Sequence, residues 1–267
     1  MQKRPTPYPS HKGRGVVTTS STMFLSKQNS PRSRKYNLLP SLYGRGLGVG
    51  LLFIPITASA QWQIEAESPE TRVTTLSDSI IDIVSPKGMT LWYNERMEGN
   101  TIIEYDARIV VEDNNTEPWN RLSDLNCFWM ASDTHRESLN PLEGISERQG
   151  IFIQQYALSL YYLGFGGNHN KTTRFRRYTG DERGIKNTEF RPAILMEYTD
   201  SAHLLKKNHW YHIRLEQTNG CVRYIIDGEV IVEYQDPTPL TRGYFGFRTT
   251  LSHAQIRRFT YTCKPSF

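Results

Sequence analysis

The chain has 267 residues, with 32 Lys and Arg against 27 Asp and Glu, and these charges are unevenly distributed. Residues 1–60 contain nine Lys or Arg and no acidic residue, which leaves 23 basic and 27 acidic residues in 61–267. The net charge of that larger part, about −4, argues against nucleic acid as a partner, because nucleic-acid-binding domains carry a basic surface of their own. Its 207 residues suffice to bury a core, and all-β sandwiches of this size are usually one domain.

The first 60 residues have the composition of a leader. Residues 1–45 are rich in Pro, Ser, Lys and Arg, and we predict a disordered basic leader that is either a targeting extension or the result of a misplaced start codon. Residues 46–60 combine a short apolar run with small residues at their end, which is typical of a signal peptide. The run is shorter than the ~20 residues of a membrane span. We predict cleavage after Ala60 and a secreted or periplasmic bacterial protein with one mature domain over 61–267.

Beyond the leader, strand-like segments recur at short intervals and no long apolar repeat with helical period is present. The sequences Asn219-Gly220 and Asp227-Gly228 indicate tight hairpin turns, and Ser85–Gly88 indicates a turn between two strands. The polar stretch 133–148 predicts a loop over one end of the sandwich. We predict strands over 62–65, 80–84, 89–93, 101–111, 122–130, 158–165, 172–178, 193–199, 210–216, 222–226, 229–234, 244–250 and 255–262. This pattern indicates an all-β fold of two packed antiparallel sheets.

Alternation along two of these strands predicts which side chains face the core, since successive side chains point to opposite faces of a sheet. Over 122–130, apolar residues including Trp129 share one face, and polar residues share the other. Over 172–178, Phe175 and Arg177 share the predicted core side. The opposite face of that strand carries Thr172, Arg174, Arg176 and Tyr178.

The three cysteines are Cys127, Cys221 and Cys263, an odd number without the spacing of a metal site or the context of a nucleophile. We predict that Cys127 is a buried small hydrophobic residue. A disulfide between Cys221 and Cys263 is an open alternative, because exported proteins retain disulfides.

The C-terminal region, HWYHIRLEQTNGCVRYIIDGEVIVEY followed by GYFGFRT, resembles the final strands of the concanavalin A-like lectin/glucanase superfamily. The segments SDLNCFWMASD, YYLGFGGNHNKTTRFRRY and EYTDSAHLL together resemble a domain-of-unknown-function family of secreted bacterial polysaccharide-utilisation proteins. The resemblance covers residues 80–259. It implies a two-sheet antiparallel jelly roll whose concave face holds any ligand, with a structural Ca2+ as a common addition. Lectins, hydrolases and lyases share this fold, so it does not define an activity.

The candidate binding residues centre on 158–178, where a glycine turn is followed by a strand with three arginines. A guanidinium matches a carboxylate in two parallel hydrogen bonds, so this composition predicts a uronate-containing polysaccharide or oligosaccharide as ligand. We predict a monomer without a cofactor. The residues predicted to bind substrate are Asp124, Asn126, Asn170, Arg176, Glu197, Tyr244 and Arg248.

Three functions remain open from the sequence. The first is cleavage by β-elimination, with His169 as base, Tyr162 or Tyr178 as acid, and Asn168 or Asn126 together with Arg174 neutralising the uronate carboxylate. The second is a non-catalytic carbohydrate-binding or accessory module. The third is a glycoside hydrolase with Asp124 and Glu197 as its two carboxylates.

Overall fold

The computed structural model describes residues 61–76 and 79–265, and the predicted leader and signal peptide lie outside them. These residues form an antiparallel β structure with few helical turns. The strands are β1 Trp62–Ala66, β2 Arg72–Thr75, β3 Ile81–Tyr93, β4 Met97–Glu98, β5 Asn100–Ile109, β6 Asn126–Ser132, β7 Ser159–Gly166, β8 Thr172–Thr179, β9 Met196–Tyr198, β10 Tyr211–Thr218, β11 Cys221–Ile226, β12 Glu229–Gln235 and β13 Arg242–Lys264. The α-helical turns are α1 Ile145–Arg148 and α2 Arg183–Lys186, and 3-10 turns span Pro141–Gly144, Phe152–Ala157, Thr188–Phe190 and Ser201–His203.

Two long strands, β3 and β13, connect two antiparallel sheets. The front sheet has the order β1-β3-β13-β6-β7-β8-β9. The back sheet has the order β2-β3-β13-β5-β10-β11-β12. The predicted two-sheet antiparallel fold is therefore confirmed.

The predicted turn at Ser85–Gly88 is wrong, because β3 continues through it. Ser85 pairs with Ser252 and Gly88 pairs with Thr250, so the two residues between them lie opposite Leu251 alone. The extra residue marks a bulge in β3, and Leu251 opposite it has φ 48°. The proline is tolerated because the ladder is already interrupted there. For the same reason, the two strands predicted over 244–250 and 255–262 form one bent strand.

The main core lies between the two sheets. Leu91, Phe247 and Tyr161 of the front sheet and Ile103 and Ile213 of the back sheet belong to one buried cluster. Its aromatic rings pack edge to face, as Phe245 does on Phe247 with a centroid distance of 4.7 Å. Each fully buried large apolar side chain of this kind contributes about 1.5–3 kcal/mol. Phe175 and Trp129 also lie in this cluster, as alternation predicted.

A second apolar cluster covers part of the outer face of the front sheet. It includes Trp92, Phe128, Leu160 and Tyr178 from the sheet. Residues 141–157, which we call the cap, supply Tyr156 and other side chains packed on it. The predicted end loop over 133–148 is thus corrected: its second half belongs to the cap, which packs on a face of the sandwich.

The three cysteines are all free thiols. Cys127 is buried, as predicted, and burial raises the pKa of its thiol to about 12. Cys221 on β11 and Cys263 on β13 are separated in the back sheet by β10 and β5. Three strand spacings amount to about 14 Å, whereas the Cα atoms of a disulfide lie within about 7 Å. The alternative of a Cys221–Cys263 disulfide is therefore excluded in this structure.

Three well-bonded aspartates make the fold sensitive to acid. Burial opposes ionisation of Asp82, Asp106 and Asp236, but hydrogen bonds outweigh it and lower each pKa below the ordinary 3.8. For Asp236 these bonds come from the Thr238 amide and from the Tyr161 and Arg177 side chains. Because a folded-state pKa below the unfolded one adds stability only while the group is ionised, that stability is complete above about pH 4 and is lost at lower pH.

We therefore expect the urea midpoint of unfolding to be nearly constant from pH 7 to about pH 5 and to fall steeply below about pH 4. Unfolding curves followed by tryptophan fluorescence across this range provide the measurement. A midpoint that is unchanged between about pH 5 and pH 2 would contradict the assignment of stability to these carboxylates.

Candidate functional site

A row of mostly polar side chains crosses the outer face of the front sheet. Neighbouring strands place these residues opposite one another through their Cα pairing. The pair Cys127–Leu163 sets Asn126 opposite Gly164 in the centre of the row. From β3 to β9 the row is Thr90, Arg248, Asn126, Gly164, Arg174 and Glu197.

A groove of about 320 Å³ opens above this row, beside the cap. This volume is at the lower end of the range found for small-ligand sites. The groove is bordered by β6, β7 and β8, by the turn after β7 and by one cap residue. Its lining residues are Asp124, Asn126, Phe152, Tyr162, Gly164, Gly167, Asn168, Thr172, Arg174, Arg176 and Thr250.

The groove brings together half of the residues singled out from the sequence. Asp124, Asn126, Tyr162, Asn168, Arg174 and Arg176 line it. His169, Asn170, Tyr178, Glu197, Tyr244 and Arg248 do not. Sequence reasoning missed Phe152, which belongs to the cap. It also missed Gly164 and Thr172, although alternation places them on the same face as Tyr162 and Arg174.

The turn after β7 directs His169 away from the groove. Its residues Asn168, His169 and Asn170 are all left-handed, with φ of 53°, 59° and 55°. Nδ1 of His169 lies 2.8 Å from Nη1 of Arg121, and since a guanidinium only donates, Nδ1 is the acceptor. This corrects the placement of the predicted base, whose Nδ1 is already occupied outside the groove.

Asn170 holds the same turn in place instead of facing a ligand. Its side-chain oxygen accepts from the Leu205 amide at 2.8 Å, and its nitrogen donates to the Leu205 carbonyl at 3.0 Å. Left-handed backbone is unfavourable for most residues other than glycine, and asparagine tolerates it best. The two bonds to Leu205 thus hold this turn in place. Two of its three left-handed positions are asparagines, which adopt that conformation readily.

Two of the predicted tyrosines lie under the cap. Tyr178 is fully buried next to Tyr156, with ring centroids 5.3 Å apart, and burial raises its pKa. Its hydroxyl therefore does not reach the groove, which corrects the predicted alternative of Tyr178 as acid. Tyr244 lies opposite Ala131 and packs against the same apolar cluster.

Arg248 is a buried cation beside the groove. Arg248 is only 2% exposed, and its Nη1 donates to the Gly150 carbonyl at 2.6 Å. Its guanidinium lies 5.5 Å from the ring centroid of Phe152, and burial lowers its pKa. No carboxylate of the residues that the structure describes forms a salt bridge with it. The carboxylates of Glu65 and Asp124 still favour its charged form through longer-range electrostatic interaction.

Both carboxylates of the predicted hydrolase pair are engaged by arginines. Asp124 accepts from Arg121 at 3.0 Å, and Glu197 on the edge strand accepts from Nε of Arg174. Of the charged side chains that line the groove, two are the guanidiniums of Arg174 and Arg176 and one is the Asp124 carboxylate, so positive charge is in excess. An excess of positive charge favours an anionic ligand.

Metal and membrane features do not occur in the part of the chain that the structure describes. No three His, Cys, Asp or Glu side chains within 61–76 and 79–265 come together as metal ligands. No helix in those same residues is long and apolar enough to cross a bilayer.

Several solved structures share this fold at low sequence identity. A protein of unknown function with a galectin-like fold from Bacillus subtilis matches with a TM-score of 0.56 and 17% identity, covering 77% of this chain and 90% of that one. The exoplasmic/lumenal domain of VIP36 in its Ca2+/Man3GlcNAc-bound form matches with a TM-score of 0.51 and 10% identity, covering 78% and 85%. The potassium-bound carbohydrate recognition domain of Emp46p matches with a TM-score of 0.50 and 9% identity, covering 78% and 90%.

These similarities define the chain as a lectin-like jelly roll and confirm the fold that the resemblance implied. Residues 83–259, well over half of the chain, match the family model described as Domain of unknown function (DUF6250). The chain belongs to that family. No curated protein matches its sequence.

Proposed function

We propose that the groove binds an anionic, uronate-containing saccharide and acts as a binding site without catalysis. The observation that carries this proposal is the pair Arg174 and Arg176, which line the groove side by side on one face of β8. Arg174 uses Nε for Glu197 and Arg176 uses Nη1 for the Pro192 carbonyl. Their remaining N–H groups are available for a carboxylate, for which the guanidinium geometry is suited.

The fold supports a sugar as the ligand. The VIP36 domain was solved with Man3GlcNAc, and the Emp46p domain is a carbohydrate recognition domain. In the present chain, Phe152 adds an aromatic ring to the groove beside polar side chains. This combination of an apolar ring with a few polar groups is common in sites for small polar ligands. The signal-peptide-like composition of residues 46–60 supports export, so that the domain would meet such saccharides outside the cell.

The base predicted for β-elimination does not line the groove. His169 lies outside the groove and accepts from Arg121. Tyr162 lines the groove, but burial raises the pKa of its phenol, so it remains protonated near neutral pH. The hydrolase alternative would need one protonated carboxyl group, whereas Asp124 and Glu197 are both paired with arginines. Binding is therefore the function that we propose.

The test is calorimetric titration of the full chain with uronate oligosaccharides and with the same oligosaccharides after reduction of their carboxyl groups. We expect binding of at least one uronate form, weakened by salt, and about 10–100-fold weaker binding when Arg174 and Arg176 are both replaced by Gln, since charged hydrogen bonds contribute about 1.5–3 kcal/mol. Arg183→Gln is the matched control, because Arg183 pairs with Asp181 outside the groove.

Equal affinity for the carboxyl-reduced forms would overturn the proposed anionic specificity. An increase in the ultraviolet absorbance of the conjugated double bond that β-elimination creates would show catalysis, and would overturn the proposal of binding alone.

A further inference from the structure

Two polar groups without a hydrogen-bond partner among the described residues line the groove. Asn126 is 6% exposed, and its amide donates to Oδ1 of Asp124 at 3.2 Å, while its own Oδ1 is buried and has no partner. The Tyr162 side chain also lines the groove, and its hydroxyl makes no hydrogen bond with any residue in the described ranges. Buried polar groups are nearly always bonded, and an unpaired one costs about 1–3 kcal/mol. The Asn126 oxygen therefore indicates a missing ligand group, and the Tyr162 hydroxyl is available to the same group.

Gly164 is the residue that allows these two groups to lie next to each other. It stands opposite Asn126 on the neighbouring strand, and Tyr162 precedes it by two residues on the same face. A Cβ atom added to Gly164 would lie 2.4 Å from the Tyr162 hydroxyl. The hydroxyl therefore lies over Gly164, close to the strand position of Asn126, and any larger residue would displace it.

The chemistry of this pair differs from that of the arginines. Oδ1 of Asn126 only accepts, and the protonated phenol of Tyr162 donates and accepts. A carboxylate, which only accepts, would leave Asn126 unpaired. A sugar hydroxyl satisfies both groups, because it donates to Asn126 while it accepts from Tyr162. Arg174 then binds the carboxylate of the same ligand. Its Cα pairs with Gly164 on the adjacent strand, about 5 Å away.

We propose that Asn126 and Tyr162 recognise one free hydroxyl of the saccharide, beside the carboxylate held by Arg174, and that Gly164 makes this recognition possible. The proposal rests on the function proposed above and specifies its substrate class. The groups that bind the hydroxyl and the arginine that binds the carboxylate are one strand spacing apart. The hydroxyl and the carboxylate therefore belong to the same sugar unit or to adjoining ones. Acetylation of that hydroxyl removes its donor and adds bulk at a buried position, so the site selects unacetylated uronates.

The experiment compares each uronate oligosaccharide that binds with its O-acetylated form by calorimetry. We expect the acetylated form to bind about 10–100-fold more weakly to the unmodified chain, because an unpaired buried group costs about 1–3 kcal/mol. Tyr162→Phe and Gly164→Ala should each reduce this preference several-fold, while the dependence on salt and on Arg174 persists. Asn126→Ala should also reduce the preference for the unacetylated form.

Stability separates recognition from a structural role. The Tyr162 hydroxyl makes no protein hydrogen bond within the described residues, so Tyr162→Phe should leave the melting temperature unchanged while it weakens binding of the unacetylated form. A lower melting temperature with unchanged binding would overturn the assignment. If Asn126→Ala or Gly164→Ala fails to fold, Tyr162→Phe still tests the proposed recognition of the hydroxyl.

The outcomes distinguish this inference from the proposed function. Equal affinity for free and acetylated forms, with arginine-dependent binding retained, would overturn the hydroxyl subsite alone. Absence of binding to every uronate would overturn the proposed function and this inference with it.

Discussion

Replacing Glu65 by Ala is expected to lower the free energy of unfolding by about 3–5 kcal/mol, because it leaves a buried arginine without its partner. The Glu65 side chain is 0% exposed and forms a salt bridge with Arg148 at 2.8 Å. It also accepts from Nε1 of Trp92 at 2.8 Å, from the Gly150 amide at 3.1 Å and from the Gln155 side chain. One carboxylate thus attaches the cap to β1 and to the sheet beneath it.

The same substitution should abolish saccharide binding, because Phe152 lies between two of these contacts and lines the groove. Urea unfolding and calorimetry of the variant provide the two measurements. Glu70→Ala serves as the control, since Glu70 is exposed and its side chain makes no hydrogen bond in the described structure. If Glu65→Ala lowers the free energy of unfolding by less than about 1 kcal/mol, the effect is no larger than that of an exposed ion pair. That result would show that the cap does not depend on Glu65.

Replacing Asp236 by Ala is expected to cost a similar amount, about 3–5 kcal/mol, through a second buried ion pair. Asp236 has a side chain that is 1% exposed, and it accepts from Nε of Arg177 and from the Tyr161 hydroxyl, both at 2.7 Å. Tyr161 and Arg177 are paired across β7 and β8, immediately beside Tyr162 and Arg176. The substitution therefore also removes the support behind the two strands that line the groove.

Tyr161→Phe offers a graded comparison, because it removes no charge and two hydrogen bonds, one donated to Asp236 and one accepted from the Leu240 amide, and should cost about 2 kcal/mol. Asp181→Ala removes the partner of the exposed Arg183 side chain and should cost far less than Asp236→Ala, because a surface ion pair contributes little to stability. Chemical unfolding of the three variants gives the order directly. If Asp236→Ala proved no worse than Asp181→Ala, the burial of the Asp236 pair would have no energetic consequence.

Much of the fold could be predicted from the alternation of apolar and polar residues along the strands, which is visible in the sequence. Phe175 and Trp129 face the core and Arg174 and Arg176 face outward, because a strand with one buried side has little freedom of register. The continuity of β3 did not follow from the sequence. Pro86 and Gly88 have the composition of a turn, and only the bulge opposite Leu251, far along the chain, shows that the strand passes through them.

The candidate site was less predictable, because its shape depends on segments without periodicity. The cap has no strand pattern, and its position is fixed by Glu65, which lies 83 residues before Arg148. His169 has suitable chemistry for a base, yet three left-handed residues turn it towards Arg121. The role of Gly164 depends on where the Tyr162 hydroxyl lies, and sequence does not give that position. A glycine within a strand occurs equally at bulges and at sharp bends of the sheet.

The length of β13 also determines when the protein can fold. This strand of 23 residues pairs with β3, β4, β5 and β6, and it is a central member of both sheets. Neither sheet is complete until the last described strand has been synthesised, so neither can form a stable intermediate on the ribosome. Long-range pairing of this kind is slow, and it exposes unpaired strand edges while it proceeds. The described domain is therefore expected to fold as a single cooperative unit, and only once β13 has been synthesised.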